Sequence, residues 1–367
     1  MMNKFLINSD ASNKRPLVLF VSIITILLIA ACGVRAPAVE KSAEAASTLL
    51  PSTVTPSSTS TFTPPPTATV TASPTPTTSP SPTPTTIPGE YFSFALTSDM
   101  SGRVGPGEFD TSQHFRGACE KIIEIGGSHF MISPGDVSPP WDTRWTIDQT
   151  FGEDYLWYPM VGNHDVWDST MQYLRDYDYD PNGDTPPNLV HQGPPDCEET
   201  TFSFDYGSAH FALLNVYCDT ASDVRTDGAI VDALYEWLAA DLEATEKEHI
   251  FVLGHEPAFP QPDVDNLILR HDGDSLDKYS YTRDRFWNLL QEHQVTAYIH
   301  GHTHGFSAVD FDGVWQLDEG HAMGAREQAM LSTFVLVHVD GSRVTYDTYR
   351  SSREGEYTLR YSGVLRE

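Results

Sequence analysis

Five short segments of this 367-residue chain end in residues able to hold a metal ion. They read Ala95-Leu96-Thr97-Ser98-Asp99, Ser133-Pro134-Gly135-Asp136, Gly162-Asn163-His164-Asp165, Gly254-His255-Glu256-Pro257 and Gly301-His302-Thr303-His304. Each follows a strand-like apolar run, and side chains at the carboxyl ends of sheet strands converge on one crevice. The last four turns carry glycine, which lets the backbone bend sharply and brings the next side chain to the rim. Imidazoles set among carboxylates suit Zn, Fe or Mn. Taken singly, a Gly-Asp pair is an ordinary turn and Gly-Asn-His-Asp a capped one. Five such turns in this order argue for a metal site.

The elements that must position them alternate in type. Residues 92–96, 129–132, 156–161, 250–253 and 295–299 read as strands, and 111–125, 228–243 and 283–292 as helices. Between residues 202 and 217, two alternating runs split by Gly207-Ser208 form a hairpin. The tail, 306–365, is mostly strand and turn. This alternation implies an α/β sandwich with mixed sheets. The acidic segments 166–200 and 258–282 follow ligand turns, so both are expected as loops rimming the site, where loops set specificity.

With these motifs the sequence resembles the calcineurin-like metallophosphoesterases, a group that includes purple acid phosphatases and many phosphodiesterases. The resemblance spans most of residues 91–305 and implies a four-layer αββα sandwich of mixed β-sheets flanked by helices. It also implies two divalent or trivalent metal ions (Mn, Zn or Fe). Carried over by motif, Asp136 bridges the two ions, Asn163, His255 and His302 complete the second site, and Asp99 and His304 hold the first. His164 then protonates the leaving oxygen or stabilises the transition state, with Asp165 orienting its ring. A pair of such ions acidifies water and clamps a phosphoryl oxygen.

One position departs from the family pattern. Where the first motif usually reads Asp-x-His, this chain has Asp99-Met100-Ser101, and no Tyr follows Asp136 to compensate, because the neighbours are Val137-Ser138-Pro139-Pro140. Ser101 is a poorer ligand, so the first metal place is expected to be weakened. Other candidates are more ordinary. His300 continues a strand and packs in the core. His114, His129, His191, His210, His249, His271, His293 and His338 have no motif context and are read as structural or exposed, and His321 as outside the site. Arg103 is either a phosphate contact or a surface ion pair. Asp178-Tyr179-Asp180-Pro181-Asn182-Gly183 begins like a calcium loop, but its twelfth position is Leu189 instead of Glu, so an acidic surface loop is expected.

Composition sets the wider frame. The chain is 40% hydrophobic and 11% aromatic, enough to bury a core, and its formal net charge is −29. A field of that sign disfavours nucleic acid as a partner, while local metal ions can still attract one small phosphorylated substrate. Lys4, Lys14 and Arg15 precede an apolar run over 17–31, short for a spanning helix but suited to a signal peptide. Ile29-Ala30-Ala31-Cys32 resembles a bacterial lipobox, which implies lipidation at Cys32 and residence on the outer face of a bacterial membrane. Residues 46–89 carry no charge, 11 Pro and 23 Ser or Thr, the composition of an extended stalk. The expected organisation is a signal peptide over 1–31, a lipidated stalk over 32–89 and a metallophosphoesterase domain over 90–367. Export permits a Cys197–Cys218 bridge, with Cys119 a buried free thiol. The expected function is metal-dependent hydrolysis of a phosphomonoester or phosphodiester. The alternative is a non-catalytic surface-binding module that keeps the fold.

Overall fold

Along the first strand, Phe92, Phe94 and Leu96 face one way and Ala95 the other, as a pleated strand of period two requires. Both faces are buried. The computed structural model describes residues 91–101, 111–178, 189–324, 330–351 and 356–367. The expected signal peptide, Cys32, the stalk, Arg103 and most of the calcium-like loop lie outside them. Among the described residues no helix is long and apolar enough to cross a membrane.

In chain order the elements begin with β1 (Tyr91–Leu96), α1 (Gln113–Glu124), β2 (Phe130–Ser133), α2 (Pro140–Phe151), β3 (Leu156–Pro159) and α3 (Asp168–Asp178). Next come β4 (Leu189–Gln192), β5 (Phe202–Tyr206), β6 (Ala209–Leu213), α4 (Asp232–Ala244), β7 (His249–Leu253), α5 (Ser280–Glu292) and β8 (Ala297–His300). The tail adds β9 (Phe306–Phe311), β10 (Val314–Glu319), β11 (Thr333–Asp340), β12 (Arg343–Ser351) and β13 (Tyr357–Arg366).

One sheet runs β13-β12-β11-β1-β2-β3 and the other β4-β5-β6-β7-β8-β10-β9. Both are mixed. The pairs β1–β2, β2–β3, β6–β7, β7–β8 and β8–β10 are parallel, and the hairpin-linked pairs are antiparallel. Phe94 from one sheet meets Phe211 and Phe251 from the other, each with ring centroids 5.2 Å apart, in a core layer that also holds Phe130, Phe204, Leu253 and Val337. A second cluster packs the helices, with Phe115 and Ile122 of α1, Leu234 and Leu238 of α4 and Phe286 of α5, onto outward residues such as Ala95, Met131 and Val252. The αββα sandwich is therefore present as expected.

Three elements were not legible. Residues 166–200 are not one loop, since they include α3 and the edge strand β4. The apolar stripe of α3 reduces to Met171 and Leu174 among acidic and aromatic neighbours. The helix α2 buries Thr143, Thr146 and Ile147, a mostly polar face that gives little hydrophobic period. The helix expected from residue 228 starts at Asp232, because Gly228 is left-handed (φ 68°) and Val231 extended. Cys197 and Cys218 are bridged and Cys119 is a buried free thiol, both as expected.

A buried ionic cluster ties the β4–β6 edge to α4. His210, 1% exposed, lies 2.8 Å from Asp205 Oδ1 through Nδ1 and 2.8 Å from Asp241 Oδ2 through Nε2. Burial alone would lower its pKa, but the bonds and charges of Asp241 and then Asp205 outweigh burial and raise it above 6.5. Asp241 is lowered below 3.8, against its own burial, chiefly by His210. A raised imidazole contributes its stability fully below the unfolded value and loses it as pH rises through the folded one. Asp241 contributes above about pH 4 and loses it as pH falls. The urea midpoint should thus fall between pH 6 and pH 9, and this fall should be smaller in His210→Gln. Equal pH dependence in the two proteins would contradict the assignment.

Candidate metal centre

Every expected ligand sits at the carboxyl end of a parallel strand. Asp99 follows β1, Asp136 follows β2, Asn163 to Asp165 follow β3, His255 follows β7, and His302 and His304 follow β8. The turns are tight. Asp99, Asp136, His302 and His304 all adopt left-handed backbone (φ 51°, 55°, 70° and 62°), a conformation costly for side chains other than glycine and typical of functional sites. Glycine permits the close approaches. A Cβ on Gly162 would lie 2.2 Å from Asp136 Oδ1, and one on Gly301 would lie 2.2 Å from Asp99 Oδ2.

Four donors converge at one place. Asn163 Oδ1 lies 3.0 Å from His255 Nε2 and 3.1 Å from His302 Nδ1, while Asp136 Oδ1 lies 3.6 Å from His255 Nε2. Ligands about 2.1 Å from a common ion stand roughly 3.0–3.5 Å from one another, so these spacings suit one. His255 is held for that task. Its Nδ1 donates to the Pro134 carbonyl at 2.8 Å, which leaves the Nε2 lone pair facing the cluster. Burial, then the neighbouring His255, keeps the His302 imidazole neutral, as a ligand must be. The donor atoms of Asp99, Asp136 and His255 lie within 4.8 Å of one another. Burial, then the charges of Asp165 and Asp99, pushes the Asp136 carboxyl well above its usual range. So much negative charge in a dry site calls for a cation.

The second expected place is built differently. Asp99 Oδ2 accepts from Ser98 Oγ at 2.6 Å and from the His302 N–H at 2.9 Å, and Oδ1 lies 3.3 Å from His304 Nε2. The Arg270 Nη1 donates to His304 Nδ1 at 2.6 Å. Ser101, His304 and Arg270 line a cleft of about 590 Å³ together with His164, Trp167 and Met323.

His164 projects into this cleft with its side chain 64% exposed and Nε2 4.0 Å from Asp136 Oδ2. Its own N–H donates to Asp136 Oδ1 at 2.8 Å. The Asp165 carboxylate instead accepts from the N–H groups of Gly162, Val137 and Ser138 and from Ser138 Oγ, at 2.7–3.2 Å. These four bonds lock the Gly135-Asp136 turn to the Gly162-His164 turn, so Asp165 positions backbone, whereas the sequence reading has it orienting the His164 ring. His300 is buried in the core as expected.

Three site residues escaped sequence reasoning. His271 packs against His302 with centroids 4.0 Å apart and the rings tilted by 37°, Arg270 reaches His304, and His321 packs against His304 at 5.6 Å. The first two belong to the 258–282 segment, whose rim position was the available signal. His321 lies two residues past the end of β10, which runs parallel beside β8. Arg350 fixes that rim. Though 1% exposed, it donates to Asp263 Oδ2 at 2.6 Å, to Asp265 Oδ2 at 2.7 Å and to Thr333 Oγ1 at 3.0 Å. Arg350→Met would leave Asp263 buried and unpaired, at an expected cost of about 3–5 kcal/mol in urea unfolding. A loss under about 1 kcal/mol, the value of an exposed pair, would contradict this anchoring.

The chain belongs to the calcineurin-like phosphoesterase family, whose model matches residues 92–306. No curated protein is significantly similar in sequence. Among solved structures, the fold is similar to GAP50 of Plasmodium, described as the anchor in the inner membrane complex (15% identity, 75% of this chain and 89% of that one, TM-score 0.49). It is also similar to PhoD (12%, 75% and 68%, TM-score 0.48) and to Vacuolar Protein Sorting 29 from Cryptosporidium parvum (13%, 76% and 99%, TM-score 0.37). At these scores the likenesses carry no argument about activity.

Proposed function

We propose that this protein is a metal-dependent phosphoric ester hydrolase acting on a small phosphomonoester or phosphodiester. The observation that carries this reading is the convergence of Asp136, Asn163, His255 and His302 donor atoms at 3.0–3.6 Å beside a cleft that presents His164. A bound cation supplies Lewis acidity, lowering the pKa of water and offsetting charge on a phosphoryl oxygen. Asp136 contributes the anionic ligand, and the His255 and His302 imidazoles and the Asn163 amide complete the set. The exposed His164 imidazole faces the substrate position and gives its proton to the leaving oxygen. Asp165 holds the two turns that carry Asp136 and His164 in register. Trp167, 67% exposed on the cleft wall, offers a flat apolar face to whatever group the phosphate carries.

The N-terminal segments complete the reading. Residues 1–31 direct export, Cys32 carries lipid on the outer face of a bacterial membrane, and residues 32–89 hold domain 90–367 away from it. The basic-then-apolar leader, the Ile29-Ala30-Ala31-Cys32 sequence and the uncharged Pro/Thr/Ser stretch support this. Cys32→Ser should shift the protein from the membrane to the soluble fraction, and full retention on membranes would contradict lipid anchoring.

The activity is tested with the purified chain on generic phosphomonoesters and phosphodiesters, with Mn or Zn and with chelator. Chelator-sensitive turnover is expected, and the preferred ester divides phosphatase from phosphodiesterase. No turnover under any supplement would favour the non-catalytic binding module, for which Ser101 is the supporting feature.

A further inference from the structure

The chain has seven Trp, and the three most exposed all lie on one side of the cleft. Trp141 and Trp145 of α2 and Trp167, just before α3, are 38%, 41% and 67% exposed. Trp is highly buried on average, and exposed apolar residues that gather in one patch mark a binding surface. The two helices start together at the cleft. Pro139 and Thr170 line it, and Ser138 Oγ lies 3.1 Å from Thr170 Oγ1. Three residues on in each segment, the Trp141 and Tyr173 rings pack at 6.3 Å. Trp145 follows Trp141 by four residues, which puts both on one helix face. An aromatic surface thus runs on from the cleft wall that Trp167 forms. The polar groups beside it are hydroxyls and indole N–H donors. Ser169 and Thr170 line the cleft, and Ser101 Oγ is buried there with no hydrogen-bond partner among the described residues. The indole N–H groups of Trp157, Trp237 and Trp287 each donate to an oxygen, whereas those of Trp141, Trp145 and Trp167 have no such partner among the described residues.

We propose that the phosphoester is carried by a neutral saccharide, with the sugar ring next to the phosphate stacked on Trp167 and further rings lying over Trp141 and Trp145. This rests on the phosphoesterase reading above and deepens it by naming the substrate class. Flat apolar faces edged by N–H donors and hydroxyls match a sugar, whose C–H face stacks on an indole while its hydroxyls meet the polar groups. The net charge of −29 repels a polyanion or an anionic membrane from this surface and leaves a neutral glycan unopposed. A nucleobase would call for amide or carboxylate groups to read its edge, and among the described residues none lines the cleft. The ring on Trp167 sits beside His164 in the same cleft, so Trp167 sets specificity close to the reacting bond. Trp141 and Trp145 add binding energy without touching the reacting atoms.

The test has two arms, both on the purified full chain. Calorimetry on chelated protein titrated with cellohexaose, maltohexaose and chitohexaose reads glycan binding without turnover. At least one hexaose should bind, with an affinity indifferent to salt because the ligand is uncharged. Trp141→Ala and Trp145→Ala should each bind it roughly tenfold more weakly, the loss of one covered ring face, and Trp141→Phe should recover part of that loss. In the second arm, metal-loaded protein is given glucose phosphate, glycerol phosphate and adenosine monophosphate. The sugar ester should show the highest kcat/KM, and Trp167→Ala should lower its preference over glycerol phosphate by roughly tenfold. Binding of no hexaose, binding unchanged in the Trp variants, or a preference for adenosine monophosphate or glycerol phosphate would each overturn the inference and leave the phosphoesterase reading standing. Hexaose binding through the indoles with no turnover of any ester would overturn the phosphoesterase reading and the substrate named here together, and leave a glycan-binding surface. The wild-type measurements need no variant to fold.

Discussion

Asp136→Ala should leave the protein without bound metal and lower kcat/KM by roughly a thousandfold or more, since a Lewis-acid ion supplies several kcal/mol to the transition state. Asp136 is 1% exposed, and its Oδ1 both accepts the His164 N–H at 2.8 Å and lies 3.6 Å from His255 Nε2. It is the carboxylate on which the donor cluster closes. The same substitution removes a negative charge that burial and the carboxylates of Asp165 and Asp99 disfavour. Without metal the variant should therefore melt no lower than the wild-type chain, offsetting its one lost backbone bond, as expected where a site trades stability for function. Calorimetry on chelated protein checks this. Retention of metal by the variant would show that Asp136 is not a ligand.

His164→Ala should lower kcat by about 10²–10⁴-fold while metal content stays unchanged. The side chain is 64% exposed and Nε2 lies 4.0 Å from Asp136 Oδ2, whereas the contact that orients Asp136 comes from the His164 backbone N–H, which alanine keeps. The loss should be largest for esters with poor leaving groups, because those depend most on a proton donor. A leaving group that departs readily as an anion should recover much of the lost rate. Equal turnover by variant and wild type on a poor leaving group would remove His164 from the mechanism.

The strand-end turns were legible because each combines two strong local signals, a buried apolar run and a turn bearing a side chain of distinct chemistry. The sequence order of those turns then fixed which strands share a rim. β1, β2, β7 and β8 read correctly to within two residues because they are buried on both faces and carry near-continuous apolar residues. The helix α2 did not read at all, because Thr143 and Thr146 on its buried face satisfy packing without a hydrophobic period. At the site, the ligand residues are local in sequence, but what they do depends on long-range partners. Arg270 reaches His304 across 34 positions, and Asp165 acts on turns up to 28 positions away. No spacing rule announces such contacts, so the Arg270–His304 contact and the turn-locking role of Asp165 became visible only in three dimensions.

The most direct test of the central claim is hydrolysis in ¹⁸O-enriched water by the purified, metal-loaded chain. Cleavage should place one ¹⁸O in the phosphorus-containing product per bond broken, should stop on chelation and should return when Mn or Zn is restored. A chain that binds its metal ion and folds normally, yet releases no product from any monoester or diester, would contradict the assignment as a hydrolase.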